Sequence, residues 1–231
     1  TIKSVCGGNY QGNITGNTNV TITGGKINGI IYGGSNEGII TGTANTKITG
    51  GTISANIYGG CNTGSIISDA EANIVGGTNL QIAGRTIGTY KIYGGSNSGS
   101  ITGNVNITLT NNTFGATTIY RGSNSGSITG NITSTIENIT FTSTSANLYG
   151  GSNSGIIVGD LKFSLGSGTF KNNTCNGRIT GGSNSGKILG NLDVNMSNIT
   201  VASEVFAGSR TGIIDGNSTF TADGIRCNSN L

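Results

Sequence analysis

The side chains able to do chemistry in this 231-residue chain are few: it has no histidine, nine acids and four cysteines. Nucleophilic triads and metal sites built on imidazole are therefore excluded, and Cys6, Cys61, Cys175 and Cys227 lack the Cys-x-x-Cys spacing of a zinc site. The acids Glu37, Asp69, Glu71, Glu137, Asp160, Asp193, Glu204, Asp215 and Asp223 are scattered, and only Asp160 and Asp193 share nearly the same phase in neighbouring repeats. Acid–base cleavage of a polysaccharide needs two opposed carboxyls or a carboxyl with a partner base, so this pair reads as two solvated surface acids. No catalytic, cofactor-binding or metal-ligating residue is assigned, and no enzyme activity is expected.

Two other groups invite attention. Tyr32, Tyr58, Tyr93, Tyr120 and Tyr149 recur in one slot of a repeat and line up a ladder of rings, able to stack on sugars, on another protomer or, as the simpler expectation, on one another. Cys6 lies near the start of the chain, where an exposed thiol could crosslink two protomers. Cys6 and Cys61, like Cys175 and Cys227, fall two repeats apart, beyond the ~7 Å reach of a disulfide, so no bridge within the chain is expected.

The elements that carry these residues follow from one recurring motif, Ile-Tyr-Gly-Gly-Ser-Asn-Ser-Gly-x-Ile-x-Gly-Asn. With the Tyr slot as position zero, copies start at Cys6, Tyr32, Tyr58, Tyr93, Tyr120, Tyr149, Thr180 and Phe206, spaced by 26, 26, 35, 27, 29, 31 and 26 residues. The preceding residue is aliphatic in every copy, from Val5 to Val205. Position eight holds Ile14, Ile40, Ile66, Ile101, Ile128, Ile157, Ile188 and Ile214, isoleucine all eight times.

Period-two alternation follows, as in Val20 and Ile22, Phe163 and Leu165, or Val194 and Met196, which marks half-buried strands. A third apolar slot near position 21 holds Ile27, Ile53, Phe114, Phe141, Phe170, Val201 and Cys227, where Cys227 reads as a small buried hydrophobe. Long inserts are placed at Ala83 to Lys91 and near Asn172 to Gly177.

Three short strands cannot enclose a core alone, but stacked units bury each isoleucine on the next. The expected fold is all-β: one parallel β-solenoid domain over residues 1–231, a right-handed β-helix of eight coils of about 26 residues. At ~4.8 Å per coil the rod is on the order of 40 Å long. Burying each aliphatic side chain contributes roughly 1.5 to 3 kcal/mol.

Invariant glycines at positions two and six, such as Gly8 and Gly12, are expected to need positive φ. The recurring Asn36, Asn62, Asn97, Asn124, Asn153 and Asn184 are expected to form an amide ladder, interrupted by Tyr10 and Arg210 at its two ends. The absence of proline agrees with uninterrupted strand pairing.

Composition narrows the function classes. Only 9% of residues are charged, the net charge is +3, and the twelve basic residues form no run that could track phosphates, so nucleic acid is not an expected partner. No apolar segment approaches the ~20 residues of a membrane-spanning helix.

The Tyr-Gly-Gly-Ser-Asn-Ser-Gly and Ile-Thr-Gly-Asn motifs resemble the Gly/Asn/Thr-rich repeats of bacterial surface proteins, the adhesin-like parallel β-helices that form stalks, fibres or display surfaces. The resemblance covers almost the whole chain. It implies an extracellular location, at the cell or spore surface, and a structural role. Thr21 and Thr23, Thr108 and Thr110, and Thr133 and Thr135 also resemble the arrays of ice-binding solenoids, but Lys47, Asn73, Glu137 and Asn195 interrupt any flat lattice. With no polar cap at either end of the repeats, the expected partner is a second copy stacked end to end, or flanking repeats of a longer chain, with glycans as a further possibility on the tyrosine face.

Overall fold

The computed structural model describes residues 1–75, 80–82, 90–166 and 173–227. These contain 22 strands and no helix, every strand pairing is parallel, and the strands wind into a β-solenoid of about seven turns. Numbered β1 to β22 along the chain, the strands fall into three walls.

The first wall is an eight-stranded sheet of β1 (Val5–Cys6), β3 (Ile31–Tyr32), β5 (Ile57–Tyr58), β8 (Tyr90–Tyr93), β11 (Thr117–Tyr120), β14 (Asn147–Tyr149), β17 (Arg178–Thr180) and β20 (Val205–Phe206). The second contains β6 (Ala70–Val75), β9 (Val105–Thr110), β12 (Ile132–Glu137), β15 (Leu161–Leu165), β18 (Leu192–Ser197) and β21 (Ser218–Asp223). The third contains β7 (Leu80–Ile82), β10 (Thr113–Phe114), β13 (Thr140–Phe141), β16 (Asn173–Cys175), β19 (Ile199–Val201) and β22 (Arg226–Cys227). In the first coils β2 (Thr18–Ile27) and β4 (Ala44–Ile53) run on through the second and third walls without a break.

The strand register follows the repeat slot by slot. Cys6, Tyr32, Tyr58, Tyr93, Tyr120, Tyr149, Thr180 and Phe206 are successive partners in the first wall. Between walls one and two, Ile14, Ile40, Ile66, Ile101, Ile128, Ile157, Ile188 and Ile214 form an unbroken line of single-residue parallel bridges. The six interior isoleucines are fully buried, whereas Ile14 and Ile214 in the outermost coils are partly open.

Two details differ from expectation. The glycines at positions two and six do not take positive φ; except for Gly12 and Gly208 in the end coils, they are glycine because neighbouring coils approach too closely for a Cβ. One built on Gly99 would lie 1.7 Å from the Gly64 carbonyl oxygen, and one on Gly34 would lie 2.4 Å from the Cys61 sulfur. Positive φ falls instead at the corner between the second and third walls, on Asn111, Asn138 and Asn198 and on Gly25, Gly51, Gly166 and Gly224. Asparagine enters this region more readily than other residues with a Cβ, and across neighbouring coils Asn138 Nδ2 donates to Asn111 Oδ1 at 2.7 Å.

The other difference concerns the third apolar slot. In the sixth coil its occupant is Cys175, paired in register between Phe141 and Val201, while Phe170 lies outside the described residues. Asn173–Cys175 is therefore strand and not part of the insert placed near Asn172 to Gly177, and residues 167–172 lie outside the described part. Lys91 likewise belongs to β8, and residues 83–89 lie outside the described part. Cys227 pairs in register with Val201, but its side chain is outside the described residues.

Candidate functional site

The surface most unlike an ordinary protein is the corner formed by the Tyr-Gly-Gly-Ser-Asn-Ser-Gly turns, where each polar side chain bonds to its counterpart one coil away. The amide ladder is continuous: Asn62 donates to Asn36, Asn97 to Asn62 and Asn124 to Asn97, each at 2.8 Å. Asn153 and Asn184 extend it at 2.9 Å. Every rung points the same way, Nδ2 toward the earlier coil and Oδ1 toward the later one, so the ladder has a donor end and an acceptor end.

Charges complement both ends. Asn36 Nδ2 donates to the Glu37 carboxylate at 3.4 Å, and Arg210 Nη1 approaches Asn184 Oδ1 at 3.5 Å. Arg210 is thus a terminating donor of the ladder. An acid at the donor end and a base at the acceptor end are the favourable signs for aligned amide dipoles, by the same reasoning as for a helix.

Two further ladders escaped the motif reading. Inside the turn, the backbone N–H of each position-three residue donates to the side chain of the next: Ser35 to Cys61 Sγ at 3.2 Å, then Cys61 to Ser96, Ser96 to Ser123, Ser123 to Ser152, Ser152 to Ser183 and Ser183 to Ser209 at 3.0–3.1 Å. Cys61 stands in a serine slot, a signal visible in the alignment of the copies. At position eleven, Asp69, Asn104, Asn131, Asp160 and Asn191 each accept the N–H of the equivalent residue one coil on, at 2.7–3.1 Å.

Asp160 is therefore a structural rung. Its Oδ1 accepts from both N–H and Nδ2 of Asn191. It does share a shallow outer groove with Asp193, Lys162 and Asn217, so the structure brings the two acids of the sequence pair to one place. Asp193 lies in register beside Lys162, and no group of three His, Cys, Asp or Glu residues suited to a metal ion occurs among the described residues.

The tyrosines form one stack. Ring centroids are 5.1 Å apart between Tyr32 and Tyr58, 4.8 Å between Tyr58 and Tyr93, 5.0 Å between Tyr93 and Tyr120 and 4.8 Å between Tyr120 and Tyr149. Tyr58, Tyr93, Tyr120 and Tyr149 are at most 5% exposed, so their ring faces are covered by one another rather than open to a sugar. Tyr93 donates its hydroxyl to Asn124 Oδ1 at 3.2 Å, tying the stack to the amide ladder. Burial raises the phenols of Tyr32, Tyr58 and Tyr93, the neighbouring phenols adding to the last two, and pushes Tyr120 up to about 12.

Three thiols are free: Cys6 is exposed and donates to the Gly34 carbonyl at 3.1 Å, while Cys61 and Cys175 are buried. Burial pushes both buried thiols up to about 11. The remaining anomaly is Arg121, which is fully buried in the lumen at a slot that is glycine in six other copies. Its identity was legible in the repeat alignment; its burial was not.

Comparison with known proteins yields no match to a family model, a curated protein or a solved structure.

Proposed function

We propose that the chain is a structural protein of the extracellular or cell- or spore-surface kind, whose solenoid extends by stacking its end coils onto another copy. The observation that carries this reading is the slot-for-slot register: each coil presents upward the same donors, acceptors and apolar row that it receives from below. The last coil of one copy therefore matches the first coil of another in its strand backbone and isoleucine row, with Arg210 and Tyr10 meeting at the ladder slot.

The outer coils support it further. At the first coil Ile2 is 51% exposed and Val5 only partly buried, and Phe206 and Phe220 are 39% and 43% exposed at the last. Unpaired parallel edges of this kind template further strands. Flanking coils of a longer chain would satisfy the same edges.

Negative-stain imaging of the 231-residue chain across a concentration series tests the reading. Rods of uniform width that lengthen with concentration, and are lost in Phe220→Asp while its far-UV strand signal persists, support stacking of copies. Short rods of a single length at every concentration would overturn it and leave flanking coils as the partner.

A further inference from the structure

Coil five departs from the repeat at two slots, positions one and fourteen, which face each other across the lumen in coils one, two and seven. Position one is Gly7, Gly33, Gly59, Gly94, Gly150 and Gly181 in six copies but Arg121 in the fifth. What surrounds that slot is indicated by the other coils: a Cβ on Gly7, Gly33 or Gly181 would lie 2.7, 2.1 or 2.5 Å from the side chain of Val20, Thr46 or Val194 at position fourteen of the same coil, and one on Gly94 or Gly150 would lie 3.0 or 3.3 Å from Val105 or Leu161 at position twelve. In coil five position fourteen is Ser134, where the adjoining coils carry Ile107 and Phe163. The largest side chain at one slot is met by one of the smallest at the other.

The guanidinium is fully buried and lies 4.8 Å above the Phe163 ring. Its Nη2 donates to the Lys162 carbonyl, and the wall opens where it does so. β12 and β15 pair at Ile132 and Leu161 alone, whereas β9 with β12 has six partner pairs and β15 with β18 has five. Nε and Nη1 of Arg121 and Oγ of Ser134 have no hydrogen-bond partner. The ion pairs among the described residues are Arg178 with Glu204 and Lys187 with Asp215, so no carboxylate is paired with the buried cation. Burial lowers the guanidinium to about 9, which still leaves it charged at neutral pH.

Two unpaired guanidinium donors and one positive charge are thus buried in the lumen, and the unpaired Ser134 Oγ belongs to the same slot, one coil earlier, as the Phe163 ring that the guanidinium covers. Water would satisfy the donors but leave the charge uncompensated; an anion does both. A divalent oxyanion would bring excess negative charge. We infer that Arg121 Nε and Nη1 and Ser134 Oγ hold one small monovalent anion of the halide type in the lumen between the fifth and sixth coils.

The inference does not depend on how copies associate. It is tested by thermal unfolding of the chain prepared without halide, exchanging sodium gluconate for sodium chloride at constant ionic strength. An ion bound only by the folded state raises the wild-type midpoint by about 4 to 7 °C when chloride reaches about twenty times its dissociation constant. The double variant Arg121→Gly, Ser134→Ile restores the residue types of the other coils and is expected to show no such rise. Bromide in the crystal, located by anomalous scattering, should lie within hydrogen-bond distance of Arg121 and Ser134. Equal chloride dependence in both proteins overturns the site, as does a lumen that holds water and no bromide.

Discussion

At single residues the coil spacing is the governing constraint, because parallel strands at ~4.8 Å leave no room for a side chain wherever backbones also turn toward one another. Gly99 and Gly16 illustrate the contrast. A Cβ on Gly99 meets the Gly64 carbonyl, while one on Gly16 meets nothing within 4 Å. Gly99→Ala is expected to destabilise the chain by about 2 to 3 kcal/mol and Gly16→Ala to leave it nearly unchanged, as read from urea unfolding midpoints. Cys61 is a second case. Serine holds its slot in six other coils, so Cys61→Ser keeps the bond from the Ser35 N–H and is expected to be close to neutral at pH 7.

At the scale of an element, the amide ladder behaves as one directional object. Asn124 gives one rung, accepts another and also accepts the Tyr93 hydroxyl. Asn124→Ala strands three polar groups and is expected to cost about 2 to 3 kcal/mol by denaturant unfolding. Asn124→Asp cannot donate to Asn97 and sets oxygen against oxygen, so its deficit should shrink as pH falls and the carboxylate is protonated; a deficit independent of pH would show that the rung carries no directional bond. The tyrosine stack is the matching apolar element, its rings in offset contact at 4.8–5.1 Å and its hydroxyls on the amide side.

For the whole molecule, alkaline pH is the expected weakness. The folded-state thiols of Cys61 and Cys175 and the phenol of Tyr120 titrate above their ordinary values of 9.0 and 10.0, so the folded state holds these protons more tightly than the unfolded chain. Their contribution is fully present below about pH 9 and is lost as pH rises through 11 to 12. Midpoints recorded from pH 7 to 12 should fall across that window, and Cys61→Ser should flatten the portion between 9 and 11 by about 2 kcal/mol. Amide exchange adds a spatial reading: the outermost coils, with Val5, Ile14, Val205 and Ile214 only partly buried, should exchange faster than the central ones, and association of copies should slow them.

The fold class, the coil boundaries, the isoleucine line and the amide ladder were legible in the amino-acid sequence alone, because a stacked repeat places equal slots over equal slots and repetition becomes contact. Tertiary structure decided what depends on distances between coils rather than on periodicity. The position-six glycines proved to be spacers and not turns, since the test is the 1.7–2.3 Å approach of a hypothetical Cβ to the preceding coil. Asp160 became a rung because its carboxylate meets the N–H of Asn191, a partner 31 residues away. Cys175 takes the third-wall slot in the sixth coil because its strand pairs in register with Phe141 and Val201, a pairing the motif count did not give. Arg121 and Ser134, each an isolated departure in the list of copies, became a pair only when the winding set position one against position fourteen across the lumen.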